Sequence, residues 1–238
     1  MAVGKRDIVI QLVAFDMAGT TIDDHGLVYA ALAESVEETG ATVAETDLQR
    51  WMGAEKSDAI AALMRLGGVT PEPEAVGRAF GRFRDILAAA YLGDPPVAIP
   101  GVERAIGELR SRGIAISLTT GFSNDVAAPL LESLGWTVGQ GDGHLLDAVV
   151  TSSEVAAGRP APYLIHHAME KTGITDVRAV LAAGDTVVDL LAAHNAGVLG
   201  VGVLTGQLGR EELERHPHLA ILDSVVDVLR LPEAGSPR

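Results

Sequence analysis

Short blocks of apolar residues recur along the chain, closed by Gly, Asp, Ser or Thr. Between them lie stretches whose apolar positions repeat every three to four residues. Ile8–Phe15 is nearly uniformly apolar and carries the β-branched Ile8, Val9, Ile10 and Val13, which predicts a buried parallel strand. The same reasoning predicts strands at Ile114–Thr119, Ala148–Ser152, Ala179–Ala183 and Val198–Val203. Helical spacing marks Val102–Arg110, Val126–Leu134 and Pro160–Glu170 between several of them. Strand and helix in alternation argue for an α/β chain built on a parallel sheet with helices on both faces. In such a sheet, ligands collect beyond the C-terminal strand ends.

Asp24 to Pro96 breaks that rhythm. LVYAALAESVEETG, DLQRWMG, KSDAIAALMRLGG and PEAVGRAFGRFRDILAAAYLG read as consecutive helices with no convincing strand, framed by Asp23–Gly26 and by GDPPVAIPG, whose Gly and Pro content fits linkers. The expected division is a sheet domain of residues 1–23 and 97–238 with an inserted helical cap of residues 24–96. One undivided α/β domain with extra helices is the alternative. AILDSVVDVLR reads as a short strand or linker before a terminal helix, and residues 231–238 as a disordered tail.

The 238 residues are 47% hydrophobic, enough for a large core, yet no uniformly apolar run is long enough for a membrane span. The apolar stretch near the start runs into a charged motif and lacks a leader-peptide layout, so a cytoplasmic protein is the default expectation. Acidic residues outnumber Lys and Arg by 32 to 18, a formal charge of −14 that leaves no basic footprint for nucleic acid. Such a chain must build any anion site locally, from a metal, helix ends and a few bases. Zero cysteines exclude thiolate nucleophiles and Cys-ligated metals, and 4% aromatic content makes a base-stacking platform improbable.

Four constellations fall at the expected strand ends. In AFDMAGTT, Asp16 closes the first strand, where a carboxylate can attack phosphorus or bind a divalent cation. Gly19 relieves crowding, and loop amides can hold phosphoryl oxygens. Taken alone, an ordinary turn Asp explains it equally. Thr120 in LTTGF offers a hydroxyl, though a Ser/Thr turn would look the same, and Asn124 is placed to cap the next helix. Arg159 in GRPAP precedes a proline suited to a first helical turn, a wasteful place for a cation unless an anion lies between, or else it is a solvent-facing arginine. In AAGDTVVD, Asp185 follows a strand and Asp189 lies four residues on, so both carboxylates can face one point that a hard cation would neutralise. The combination is far more specific than any member.

With these residues the chain resembles the haloacid dehalogenase superfamily over nearly its full length. The resemblance implies a Rossmann-like core with an inserted α-helical cap domain, and a small organophosphorus substrate. It makes Asp16 the nucleophile that becomes an aspartyl phosphate, with Thr120 and Arg159 beside it. Mg²⁺ would be held by Asp16, the Ala18 carbonyl and Asp185, with Asp189 nearby or acting through water. Typical phosphatases of the superfamily carry Asp where this chain has Ala18. DMAGTT, the Arg of GRPAP and TTGF are instead similar to the phosphonoacetaldehyde hydrolase group, in which a cap lysine in MGxxK forms a Schiff base with an aldehyde. WMGAEK supplies Met52, Gly53 and Lys56. On this resemblance Gly19, Thr20, Met52, Gly53, Gly121 and Phe122 are substrate-binding candidates. Two departures stand out: Ala59 where the family has a proton-handling histidine, and Phe122 where it has Tyr.

Lys56 therefore reads as an imine-forming amine, as a clamp for a substrate anion, or as a surface lysine. The leading expectation is Mg²⁺-dependent C–P bond cleavage. The alternatives are a phosphomonoesterase for a small ester such as phosphoglycolate, and a non-catalytic binding protein. His25, in the linker, is a candidate substitute for the missing histidine or an exposed linker residue. His166, His167, His216 and His218 lack persuasive metal spacing. The apolar Val28–Leu32 face serves either cap packing or a homodimer contact.

Overall fold

The structure, a computed structural model, describes residues 9–139, 141 and 143–235. Strand β1 (Leu12–Asp16) is followed by the two-residue β2 (Ile22–Asp23) and four helices, α1 (Leu27–Glu37), α2 (Glu45–Arg50), α3 (Lys56–Leu66) and α4 (Pro73–Gly93). The chain then runs through β3 (Val97–Ala98), α5 (Val102–Ser111), β4 (Ala115–Thr119), α6 (Asn124–Ser133), β5 (Ala148–Val150) and α7 (Tyr163–Thr172). It ends with β6 (Val180–Gly184), α8 (Val187–Ala196), β7 (Leu199–Val203), α9 (Arg210–Leu213), β8 (Ala220–Leu222) and a 3-10 turn at Val225–Arg230.

Six strands form one parallel sheet in the order β5-β4-β1-β6-β7-β8. From β1 the chain builds outward through β4 and β5, then crosses to the other side of β1 for β6, β7 and β8. Asp16, the last residue of β1, thus lies at the reversal of strand order, where α/β sheets open a crevice. Alternation along β1 serves both faces. Val13 and Phe15 join a core with Ile106 of α5 and Leu130 of α6, while Leu12 and Ala14 pack with Leu164 of α7 and Ala192 of α8.

Helices α1, α3 and α4 pack on one another to form the cap, with Leu32, Leu63 and Phe83 fully buried. The apolar Val28–Leu32 face is spent on this packing: Val28, Ala31 and Leu32 are all buried. The two linkers pair with each other, Ile22 opposite Ala98 and Asp23 opposite Val97, so β2 and β3 make an antiparallel ribbon. Among the described residues no helix is long and apolar enough to cross a membrane.

Several expected boundaries shift. The first strand begins at Leu12 rather than Ile8, which lies outside the described residues, although Gln11 already bonds to Ala115 of β4 and to Ala179 just before β6. The fifth strand stops at Val150, because Thr151 and Glu154 close a capping box that turns the chain. The helix expected from Pro160 starts only at Tyr163, since Ala161 N–H donates to the Gly158 carbonyl and closes a turn across Arg159 and Pro160. Asn124 is the first helical residue of α6 rather than its cap, a position held by Ser123. Pro232–Ala234 forms a 3-10 turn with Ala234 buried, where a disordered tail was expected, and 236–238 lie outside the described residues.

Candidate active site

Asp16 is held at the end of β1 by a tight turn. The N–H groups of Thr20, Thr21 and Ile22 donate to the Met17 carbonyl at 3.3, 2.9 and 2.9 Å, which leaves the Ala18 carbonyl out of that turn. Thr21 hydroxyl donates to the Asp16 carbonyl at 2.9 Å. Thr20 hydroxyl donates to Asp185 Oδ1 at 2.8 Å, tying the first loop to the one after β6. Gly19 has φ +81°, and a Cβ there would sit 2.5 Å from Asp185 Oδ2, so only glycine lets the two loops meet.

Asp16, Asp185 and Asp189 are buried and offer carboxylate oxygens all within 4.8 Å of one another. The cap of α8 is Thr186, which exchanges capping-box hydrogen bonds with Asp189. The capping box supplies a local reason for Asp189, and its other oxygen is ion-paired with Arg159, 2.8 Å from Nε. Both Asp189 oxygens are engaged, and the three carboxylates of Asp16, Asp185 and Asp189 together make a hard-oxygen cluster of the kind that fits a divalent cation such as Mg²⁺.

Arg159 is not at a helix end. Its guanidinium reaches Asp16 Oδ1 at 2.7 Å through Nη1, while Nη2 donates to both the Thr119 carbonyl and hydroxyl at 2.8 Å. The anions that justify its position are the site's own carboxylates. Burial pushes the Asp16 carboxyl up, Arg159 pulls it back and Asp189 raises it again, leaving it at about 7. Burial, then the charges of Asp16 and Asp189, hold Asp185 well above the usual carboxylate range. One guanidinium does not neutralise three carboxylates, and a cation would relieve the remainder.

The cap completes the site through the loop before α3. Lys56 is the first residue of that helix, where the N-terminal dipole disfavours a positive side chain. Its side chain is 4% exposed, and its amine donates to the Ala54 carbonyl at 3.1 Å and lies 5.5 Å from the Phe122 ring centroid. Burial lowers the amine to about 8, with Asp16 opposing and Arg159 adding to the shift. Lys56 and Asp16 line one cavity of about 20 Å³, together with Ala18, Gly53, Thr120, Gly121, Phe122, Arg159, Val28, Tyr29 and Thr186. That is space for about one water. A larger, mainly apolar cleft of about 460 Å³ between α4 and α6 contains none of these residues.

Cap and core touch closely here. A Cβ on Gly121 would fall 2.6 Å from the Ala54 carbonyl oxygen, and Arg159 Nη1 lies 3.4 Å from the Gly53 carbonyl oxygen. Thr120 Oγ1 accepts from Phe122 N–H at 3.0 Å. Met52 is buried beside this loop without lining the cavity. His25 does not line it either: its ring nitrogens lie 3.6 Å from Asp23 and 3.6 Å from Asp94, across the two linkers. Sequence reasoning missed Thr119, Thr186 and Tyr29. Thr186 carried a readable signal, the T-x-x-D capping pattern, whereas nothing local marks the other two.

The sequence model of haloacid dehalogenase-like hydrolases matches residues 10–197. A phosphonoacetaldehyde hydrolase from Parabacteroides distasonis is 33% identical over 219 residues, covering 85% of this chain and 80% of that protein. The crystal structure of a hydrolase from Pseudomonas syringae superposes with a TM-score of 0.81 at 24% identity, covering 92% of this chain and 96% of that one. That of a phosphonoacetaldehyde hydrolase-like protein from Oleispira antarctica gives 0.76 at 22% identity, covering 96% of each.

Proposed function

The chain belongs to the haloacid dehalogenase-like hydrolase family, and on that premise we propose a Mg²⁺-dependent phosphonatase-like hydrolase that cleaves the C–P bond of phosphonoacetaldehyde or a related small phosphonate. The observation that carries this reading is the small cavity shared by Lys56 and Asp16, beside an Ala18 that supplies no acid. Similarity to phosphonoacetaldehyde hydrolases supports the same choice.

In this reading the neutral Lys56 amine adds to the aldehyde carbon, and the carbonyl oxygen leaves as water to give an iminium. An Asp16 carboxylate oxygen then attacks phosphorus, the C–P bond breaks, and its electron pair moves onto carbon to form an enamine. No leaving oxygen needs a proton, which is why Ala18 suffices. The enamine takes a proton at carbon and hydrolyses to acetaldehyde and free Lys56, while water releases phosphate from the aspartyl phosphate. Arg159 and Thr120 orient the phosphoryl oxygens. Asp16, the Ala18 carbonyl and Asp185 would hold Mg²⁺, which would supply charge stabilisation at those oxygens.

The cavity admits about one water, so substrate entry requires the cap to lift. We place the domain division, 1–23 plus 97–238 against 24–96, in the β2–β3 ribbon.

A second reading, a small-molecule phosphomonoesterase, is favoured by one observation: Ala59 is buried in the cap core and His25 is engaged with Asp23 and Asp94, so neither offers the expected imidazole. Phosphate release from phosphonoacetaldehyde and from phosphoglycolate, with Mg²⁺ and with chelator, separates the two. The proposal expects Mg²⁺-dependent release favouring the phosphonate, and preference for the ester contradicts it.

A further inference from the structure

Tyr29 lies on α1 and lines the same cavity as Asp16 and Lys56. Its hydroxyl makes no hydrogen bond to another described residue, unlike the hydroxyls of Thr20, Thr21 and Thr119, each tied to a carboxylate, a carbonyl or Arg159. Tyr29 is half-buried, and a phenol at this cavity that no described residue engages is free to donate to a ligand. Its ionised form is strongly disfavoured: burial, then the charges of Asp185, Asp16, Asp24 and Asp189, push the phenol well above its usual range. It is therefore an O–H donor, with no tendency to serve as a resting base.

We propose that Tyr29 is a substrate-activating residue whose hydroxyl donates to the carbonyl oxygen while Lys56 attacks the carbonyl carbon and Asp16 faces phosphorus. The role rests on the imine reading. A neutral donor at that oxygen draws electron density from the carbon under attack and stabilises the alkoxide as the N–C bond forms. The phenol passes its proton to the alkoxide and receives the one that nitrogen loses. A neutral carbinolamine results and the phenol is regenerated. The proton relay absent at Ala59 is thereby supplied from a different cap helix, α1 rather than α3.

The test is Tyr29→Phe, which keeps the ring and removes only the oxygen. Two quantities are compared with the unaltered chain: the rate at which borohydride fixes phosphonoacetaldehyde onto Lys56, and the affinity for orthovanadate with Mg²⁺, which reports on the phosphoryl half of the site. The expected result is a fall in trapping of about tenfold to a hundredfold, with vanadate affinity unchanged. Undiminished trapping, or equal losses in both, overturns the proposal. If the unaltered chain itself does not trap substrate, the imine reading has failed and the role of Tyr29 fails with it.

Discussion

Arg159 Nη1 lies 2.7 Å from Asp16 Oδ1 with both side chains buried, so the nucleophile candidate and its counter-charge are fixed before any ligand arrives. The same guanidinium holds Asp189 and Thr119. Arg159→Ala would strand buried carboxylates without a partner, at a cost of about 3–5 kcal/mol. Urea unfolding in chelator measures it, and Arg159→Lys should fall between, because an ammonium cannot span all three partners.

Proton linkage gives a second expectation. The folded Asp16 carboxyl sits at about 7, above its ordinary 3.8. Between those values the folded chain holds a proton that the unfolded chain has lost, so stability falls as pH rises through the window. In chelator the unfolding midpoint should drop from about pH 5 to about pH 8, and Mg²⁺ should stabilise more at the higher pH, where the carboxylates are free to bind it. A Mg²⁺ effect that is equal at both ends would contradict this.

The loop before α3 sits tightly against Gly121. A methyl there meets the Ala54 and Gly53 carbonyl oxygens at 2.6 and 3.0 Å, backbone atoms that cannot swing away. Gly121→Ala should hold Lys56 off the site and lower kcat/KM by about a hundredfold. The cost in stability should be only about 1–3 kcal/mol. Steady-state kinetics alongside a melting curve separate the two effects.

Ala18 offers a gain-of-function check. Ala18→Asp places a carboxyl where a leaving oxygen would need a proton, and should raise phosphomonoester turnover by about a hundredfold or more without helping C–P cleavage. An equal effect on both substrates would remove the argument that Ala18 reflects the leaving group.

The strands around Asp16, Thr120 and Asp185 were legible because buried parallel strands are apolar runs and the chemistry follows their C-terminal ends. The helical cap was legible from its loss of strand pattern. Arg159 was found by motif, but its surroundings were not: the reason for its position is a contact with Asp16, more than a hundred residues away in sequence. Tyr29 gave no signal, since a tyrosine on an amphipathic helix looks like packing until the fold sets that helix over the sheet. Thr119 was hidden inside an apolar strand, where only the arrival of a guanidinium gives its hydroxyl a task. Long-range pairing, unlike periodicity, leaves no local trace.

If the Lys56 amine, buried and lowered to about 8, engages the substrate, it can be fixed there covalently. Borohydride reduction in the presence of phosphonoacetaldehyde and Mg²⁺, followed by peptide mass analysis, tests it most directly. One reduced two-carbon adduct should form, on Lys56, with loss of activity in step with its formation and no adduct in Lys56→Arg. Continued phosphate release with Lys56 unmodified would contradict it.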